Sequence, residues 1–428
     1  MRPSILAVAA VAATSLALGA CGTGDADETS SGNAATGSLK TGPGVDASNK
    51  TIRVGDLTAL SGPAAALGKP VAAGHTAYFE AFNARGGIDG WTIELAVEDT
   101  GYQPQQHVQA YNALKGDIAI LNSFGSPTTK AIQPLFQREK LVTIPASFDS
   151  IWGDDPTVAP VGTPYSIDVA NALDYVTEAG AKKLKIGIVY QNDEYGADGL
   201  RGFDAAKQAL GFTDAGRQSY KPGDTDFTAQ VQKLKAAGAE AVVVTALPSA
   251  TGPIVGTAAT LGFTPQWILQ GPSYIEQLIT EDGTVAGKPT PVAAALEGAI
   301  VTSFSAPWGA DDAPGMEQLI ADQKRFAAEQ TPSIYFALAY AQGKVVEEIV
   351  RKAIESGDLT REGILEAKEN LGQVDLGGIT PAVTYTAKGG PPSRETLITE
   401  IDPQVPGFLT VIEADHGSEV AETIDTSG

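Results

Sequence analysis

TIRVGDLTALSGPAAALGKPVAAGHTAYFEAFNARGGIDGWTIELAVEDT, residues 51–100, is the stretch whose reading decides the fold. Ile52, Val54 and Leu57 are the apolar positions of a short β-rich run, broken by Ser61-Gly62-Pro63. A helical segment is expected from about Pro70, since proline is tolerated in a first turn. Val71, His75, Tyr78, Phe79 and Phe82 recur at helical spacing and share one face. Gly86-Gly87 ends that helix, as glycine does where a left-handed residue is needed. Trp91 to Val97 reads as a second strand and closes a βαβ unit. Such a unit requires a parallel sheet with helices packed on it. Ligands of these sheets sit where strands end and helices begin, here around Ser61 to Gly68.

The same alternation continues. Gln103 to Lys115 reads as a helix, Ile118 to Leu121 as a short buried strand, and Asn122 to Thr129 as a polar loop. Ala131, Leu135 and Phe136 give the next helix face, and Leu141 to Ile144 a strand ended by Pro145-Ala146-Ser147. The loops at Ser61, Ser126 and Ser147 should therefore lie along one sheet edge. Small hydroxyls and backbone N–H groups near helix N-termini suit an anion or a polar head, although each loop taken singly also reads as a cap or turn. From Gly162 to Ser166 the chain leaves this lobe, and the rhythm restarts. It runs through a helix (Ile167 to Ala179), a strand (Leu184 to Tyr190), a loop (Gln191 to Gly196) and a helix (Leu200 to Leu210). A helix from Asp226-Phe227, a strand (Ala241 to Thr245), a helix (Ile254 to Leu261) and a strand (Gln266 to Leu269) follow. That is a second lobe of the same design. A strand at Ala299 to Thr302, helices at Met316 to Ala328 and Ile334 to Ser356, and strands at Thr380 to Tyr385, Thr396 to Ile401 and Leu409 to Ile412 complete the reading.

The ends of the chain have their own character. Arg2 followed by the apolar run Ile5 to Leu18 reads as a signal peptide over residues 1–20, short of the ~20 apolar residues a membrane span needs. Leu18-Gly19-Ala20-Cys21 resembles a bacterial lipoprotein cleavage box, which would lipidate Cys21 as the new N-terminus; Cys21 is the only cysteine of 428 residues, so no disulfide can form within the chain. Residues 21–50 carry almost no large apolar side chain and are expected to form a flexible, lipid-anchored linker. Residues 415–428 read as a frayed acidic tail. A formal charge of −22 argues against nucleic acid and anionic lipid surfaces as partners.

Signals for catalysis are weak. Of three histidines, His75 shares a helix face and reads as a satisfied core group, and His416 falls in the tail. No His/Cys spacing fits a metal site, and no nucleophile-elbow motif occurs. Gly62 to Pro70 departs from a phosphate loop both in glycine spacing and in having Pro70 where a hydroxyl should hold magnesium. No cofactor, metal or catalytic residue is expected.

The ordered runs D-L-T-A-L-S-G-P-x(4)-G, F-N-A-R-G-G-I-D-G, Gly125-Ser126-Pro127-Thr128-Thr129 and Ile186-Gly-Ile-Val-Tyr-Gln-Asn-Asp-Glu-Tyr195-Gly196 are together similar to the type I periplasmic binding proteins. More narrowly they resemble the branched-chain amino acid (leucine-binding) receptors of ABC importers, over roughly Thr51 to Ile412. The resemblance implies an α/β fold of two doubly wound parallel-sheet lobes joined by three hinge crossings. It places residues 51–164 and 304–390 in lobe 1, and 165–303 and 391–414 in lobe 2. It implies a small-molecule ligand and ABC permease subunits as partners, on the outer face of the bacterial cytoplasmic membrane. A sensor lipoprotein signalling to a membrane partner is the alternative.

Carried over residue by residue, Leu67 falls at a side-chain contact, Ser126 and neighbouring Thr128 in the carboxylate loop, and Ala146 and Ser147 where backbone clasps the head group. Tyr195 matches a tyrosine that closes over the ligand. The chain also departs from the pattern. Phe148 replaces a threonine that bonds the α-amino group, Leu247 replaces an aromatic, and Gln270-Gly271-Pro272-Ser273-Tyr274 has no carboxylate for an ammonium. Ser273 and Tyr274 nevertheless stay candidate contacts. Unless Glu276 or another acid substitutes, the site suits an uncharged amide, or an aromatic or aliphatic carboxylate, in place of leucine.

Overall fold

A computed structural model describes residues 39–426 apart from Lys388; the signal segment and Cys21 lie outside the described residues. Strands β1 (Lys40–Thr41) and β2 (Val45–Asp46) precede β3 (Thr51–Thr58), whose buried Ile52, Val54 and Leu57 are the apolar positions expected of it. Helix α1 (Ala65–Ala84) starts a turn earlier than Pro70, because the alanine-rich run before the proline carries that turn. Then follow β4 (Thr92–Asp99), α2 (Pro104–Leu114), β5 (Ile120–Phe124), α3 (Ser126–Arg138) and β6 (Thr143–Ala146). β3 pairs in parallel with β4 and β5, and β5 with β6.

Helix α4 (Tyr165–Val176) opens the second part. It is followed by β7 (Lys185–Gln191), α5 (Glu194–Leu210), β8 (Thr213–Tyr220), α6 (Thr228–Ala236), β9 (Ala241–Thr245) and α7 (Pro248–Thr260). β10 (Gln266–Gln270), α8 (Ala293–Leu296) and β11 (Ile300–Ser303) complete a parallel array ordered β11-β10-β9-β7-β8. β9 (AVVVT) is buried along its whole length, the pattern of a strand covered on both faces. β8 (TDAGRQSY) escapes a reading by hydrophobicity because it is the edge strand and offers few apolar side chains.

The chain then crosses back. α9 (Met316–Phe326) and α10 (Ile334–Ser356) pack against α1, so closely that a Cβ on Gly343 would meet the Tyr78 ring at 2.5 Å. His75 is the satisfied core group expected: its ring nitrogens meet Asp56 Oδ2 (2.9 Å) and Gln342 Oε1 (3.2 Å), and Gln342 Nε2 donates to Pro145 O (2.9 Å). β12 (Asp358–Leu359), α11 (Arg361–Glu369), β13 (Gly372–Val374) and β14 (Val383–Tyr385) follow. β15 (Thr396–Ile401) and β16 (Leu409–His416) return to the second sheet, where the sequence reading places residues 391–414, and add an antiparallel edge that a purely parallel sheet would lack. Between the first sheet with its helices and the second sheet the chain thus passes three times: after β6, after β11, where α9 and α10 return to α1, and before β15.

Both expected loose ends need correction. Within the segment read as a linker, β1 pairs with β12 and β2 with β3, so the fold begins about ten residues earlier than expected. Backbone pairing orders these residues, helped by Leu39 and Val45, which pack against the core. The tail is not frayed throughout. His416 ends β16 and meets Asp174, and α12 (Glu419–Thr423) buries Val420, Ala421 and Ile424 beside α4 and α5.

Candidate functional site

Where the strands of the two sheets end, their βα loops face one another across a small chamber with about 30 Å³ of free space, room for water-sized occupants. From the first lobe come Leu67 on α1, Tyr102 after β4, Phe124 at the end of β5, Gly125 and Ser126 opening α3, and Ala146 at the end of β6. Phe148 comes from the first crossing, and Tyr335 and Leu338 from α10. The second lobe supplies Tyr165 at the start of α4, Tyr195 in the first turn of α5, Leu247 before α7, and Pro272.

Aromatic rings form a continuous wall. Tyr195 stacks edge-on to Tyr165 (4.8 Å between centroids), Tyr165 to Phe148 (5.7 Å), Phe148 lies 5.2 Å from Phe304, and Phe304 meets Tyr335 (5.1 Å). Such pairs hold one another beyond what area burial alone gives. Polar atoms collect at one corner. Ser126 Oγ lies 2.7 Å from Ser147 Oγ, which accepts from Trp152 Nε1 (3.0 Å), and Tyr165 lines the same chamber as Ser126. Burial pushes the Tyr165 phenol up, so it stays a neutral donor.

Of the residues read from sequence, Leu67, Ser126, Ala146, Phe148, Tyr195 and Leu247 line the chamber together. Ser147 stands one bond behind Ser126. Thr128 does not face the chamber. Its hydroxyl turns back onto Phe124 O and Gly125 O (3.0 Å to the latter), bracing the loop. Ser273 is set back too, donating to Val244 O (2.6 Å) and accepting from Ala246 N (3.0 Å). Tyr274 points away and donates to Gly407 O (3.0 Å). Glu276 supplies no counter-charge here, since its Oε1 accepts from Ile334 N (2.8 Å) at the start of α10.

Tyr102, Phe124, Tyr165, Tyr335 and Leu338 escape a sequence reading. Tyr102 carried one usable signal, because it follows the end of β4 just as Ser61 follows β3. It holds a left-handed backbone (φ 60°), a strained state for tyrosine, and its hydroxyl accepts from Gln191 Nε2 (3.3 Å) across the cleft. Gly125 (φ +91°) makes room for it: a Cβ there would meet the Tyr102 ring at 2.5 Å.

Among the described residues, no lysine, arginine, aspartate or glutamate lines the chamber. Buried acids stand behind its polar wall, Asp149 near Tyr165 among them. Burial raises the Asp193 carboxyl to about 6, and its Oδ2 accepts from Gln191 Nε2 (2.5 Å). Burial holds Asp168 well above the usual carboxylate range; it accepts from Thr396 Oγ1 (2.9 Å) and Gln270 Nε2 (3.4 Å). The arrangement suits an apolar solute with one polar end and offers no charged acid to an ammonium.

Comparison with known proteins agrees with this geometry. Residues 51–406 match the periplasmic binding protein family. A Leu/Ile/Val-binding protein homolog 3 of Brucella melitensis is 33% identical over 201 residues, covering 45% of this chain and 53% of the relative, so that match spans about half the relative's length. A Leu/Ile/Val-binding protein homolog 7 of Brucella abortus is 25% identical over 354 residues, covering 79% of this chain and 84% of the relative. Among solved structures, a fatty acid ABC transporter substrate-binding protein from Thermomonospora curvata superposes with a TM-score of 0.82 at 29% identity, covering 90% of this chain and 97% of the other. Sequence match, sheet order and facing βα loops converge: the chain belongs to the periplasmic binding protein family.

Proposed function

We propose that this chain is the extracytoplasmic substrate-binding lipoprotein of an ABC importer. It captures a small, largely apolar organic solute by closing two lobes on it: a hydrophobic amino acid, or a related amide or carboxylic acid. The lobes are residues 39–164 with 304–390, and 165–303 with 391–426. The observation that carries this reading is the chamber whose walls come from both sheets. A solute touching both walls stabilises the closed arrangement over an open one, and that difference is what a permease can recognise. With so little free space between the walls, they part to take in a solute of several heavy atoms. The similarity to a Leu/Ile/Val-binding protein homolog and to a fatty acid ABC transporter substrate-binding protein supports an apolar body and leaves the head group to this chain's own residues.

A thermal-shift screen over hydrophobic amino acids, their amides, and aliphatic and aromatic acids tests the reading. At least one solute should raise the midpoint by several degrees and bind with roughly micromolar affinity, about −8 kcal/mol. A flat screen on folded protein would refute the assignment. Lipidation at Cys21 is tested separately: Cys21→Ser should move the protein from the membrane fraction to the soluble one, and retention on the membrane would count against the anchor.

A further inference from the structure

Resting on the chamber as a solute site, we propose that Tyr102 is a specificity-determining residue: its hydroxyl is one half of a clasp across the mouth of the cleft, and the clasp sets an upper limit on the length of the solute. The two halves come from strands at the edges away from the crossings. β4, which Tyr102 follows, is separated from β6 and the first crossing by β3 and β5. Gln191 ends β7 and Tyr220 ends β8, and β9 and β10 separate both from β11, where the chain crosses again. Opening a hinge separates points in proportion to their distance from it, so a bond made here is among the first to break.

The hydrogen bonds of the clasp run one way. The Tyr220 hydroxyl accepts from Leu247 N (3.0 Å), so its own hydrogen goes to Gln191 Oε1 at 2.8 Å. That orients the amide. Gln191 Nε2 gives one hydrogen to Asp193 Oδ2 (2.5 Å) and the other to the Tyr102 hydroxyl (3.3 Å). Tyr220, Gln191 and Asp193 all belong to the second lobe, so the donor is aimed before the first lobe arrives. Gln191 is 0% exposed and Tyr102 5%, and a buried N–H that loses its acceptor is costly. The first lobe accepts a left-handed backbone at Tyr102 (φ 60°) and a side chain missing at Gly125 to seat the ring there. A second bond crosses at the rim, where Ser249 Oγ donates to Pro63 O (3.0 Å). Tyr102 also lines the chamber, so the clasp stands beside the solute's own space. A solute that lies wholly inside leaves both bonds intact. One whose far end stands between the lobes holds them apart and loses both.

Calorimetry on the full chain tests this with solutes of growing length: acids, amides and α-amino acids, straight-chain or phenyl-ended. In a class that binds, affinity should rise with length and then drop about tenfold between successive members, where the clasp fails to form. Tyr102→Phe keeps the ring and removes the acceptor. It should weaken the short members about tenfold, mostly as faster dissociation, and leave the long ones unchanged, which flattens the drop. Ser249→Ala should act in the same direction by about twofold, its bond being exposed. A Tyr102 that served only as wall would leave the whole series as in wild type, and one that served only the fold would weaken short and long members alike. Either result would overturn the proposal alone. So would tighter binding in Tyr102→Phe, or a wild-type affinity that rises through the longest soluble members without a drop. Silence of the wild-type protein toward every class, with circular dichroism confirming the fold, would overturn the solute-site reading with it.

Discussion

Tyr195→Ala should weaken solute binding by about thirtyfold or more, a loss of ~2 kcal/mol, while the chain stays folded. The ring closes the second-lobe side of the chamber and packs 4.8 Å from Tyr165. Its hydroxyl donates to Gln270 Oε1 at 2.8 Å and lies 3.3 Å from Ser273 Oγ. Truncation removes wall area the solute would touch and leaves the buried Gln270 oxygen without that donor. Tyr195→Phe keeps the ring and should cost only about 1 kcal/mol. Calorimetry separates the two; wild-type affinity in the alanine variant would remove Tyr195 from the site.

A second large effect is expected at Glu276. Its carboxyl is fully buried, and desolvation raises it to about 7 from an ordinary 4.5, partly offset by hydrogen bonds that include the one from Ile334 N. Below pH 4.5 the group is protonated folded or unfolded. Between 4.5 and about 7 the folded chain holds the extra proton, so stability falls as pH rises through that window. Above it, the buried charge is a full liability. Glu276→Gln keeps an oxygen for Ile334 N and removes the charge. It should leave stability unchanged at pH 4 and raise it by ~1–3 kcal/mol at pH 8. Denaturant unfolding of both proteins at the two pH values checks this. A variant less stable at pH 8 would show instead that the carboxylate is a net support of the α10 N-terminus.

The fold was legible wherever burial writes a period into the sequence. α10 reads clearly because Ile334, Leu338, Ala341, Val345 and Ile349 must all face α1 and the first sheet. β9 reads clearly because both its faces are covered. β8 and residues 40–46 do not, because edge pairing is made by backbone groups that any side chain permits. The site divides in the same way. Ser126 follows from its loop at a strand end, and Ala146 and Tyr195 from the resemblance to the family. Tyr335 joins them from a helix more than a hundred residues further along the chain, and nothing local marks it. Thr128, beside Ser126 in sequence, turns its hydroxyl the other way because a helix rotates successive residues to different sides.

The run of rings from Tyr195 through Tyr165, Phe148 and Phe304 to Tyr335 has one more consequence. Phe148 and Phe304 stand in the segments where the chain passes between sheets, so any hinge rotation must change ring spacings and tilts. The protein therefore carries an optical gauge of its own closure: near-ultraviolet ellipticity arises from such chirally arranged neighbours and needs no dye or label.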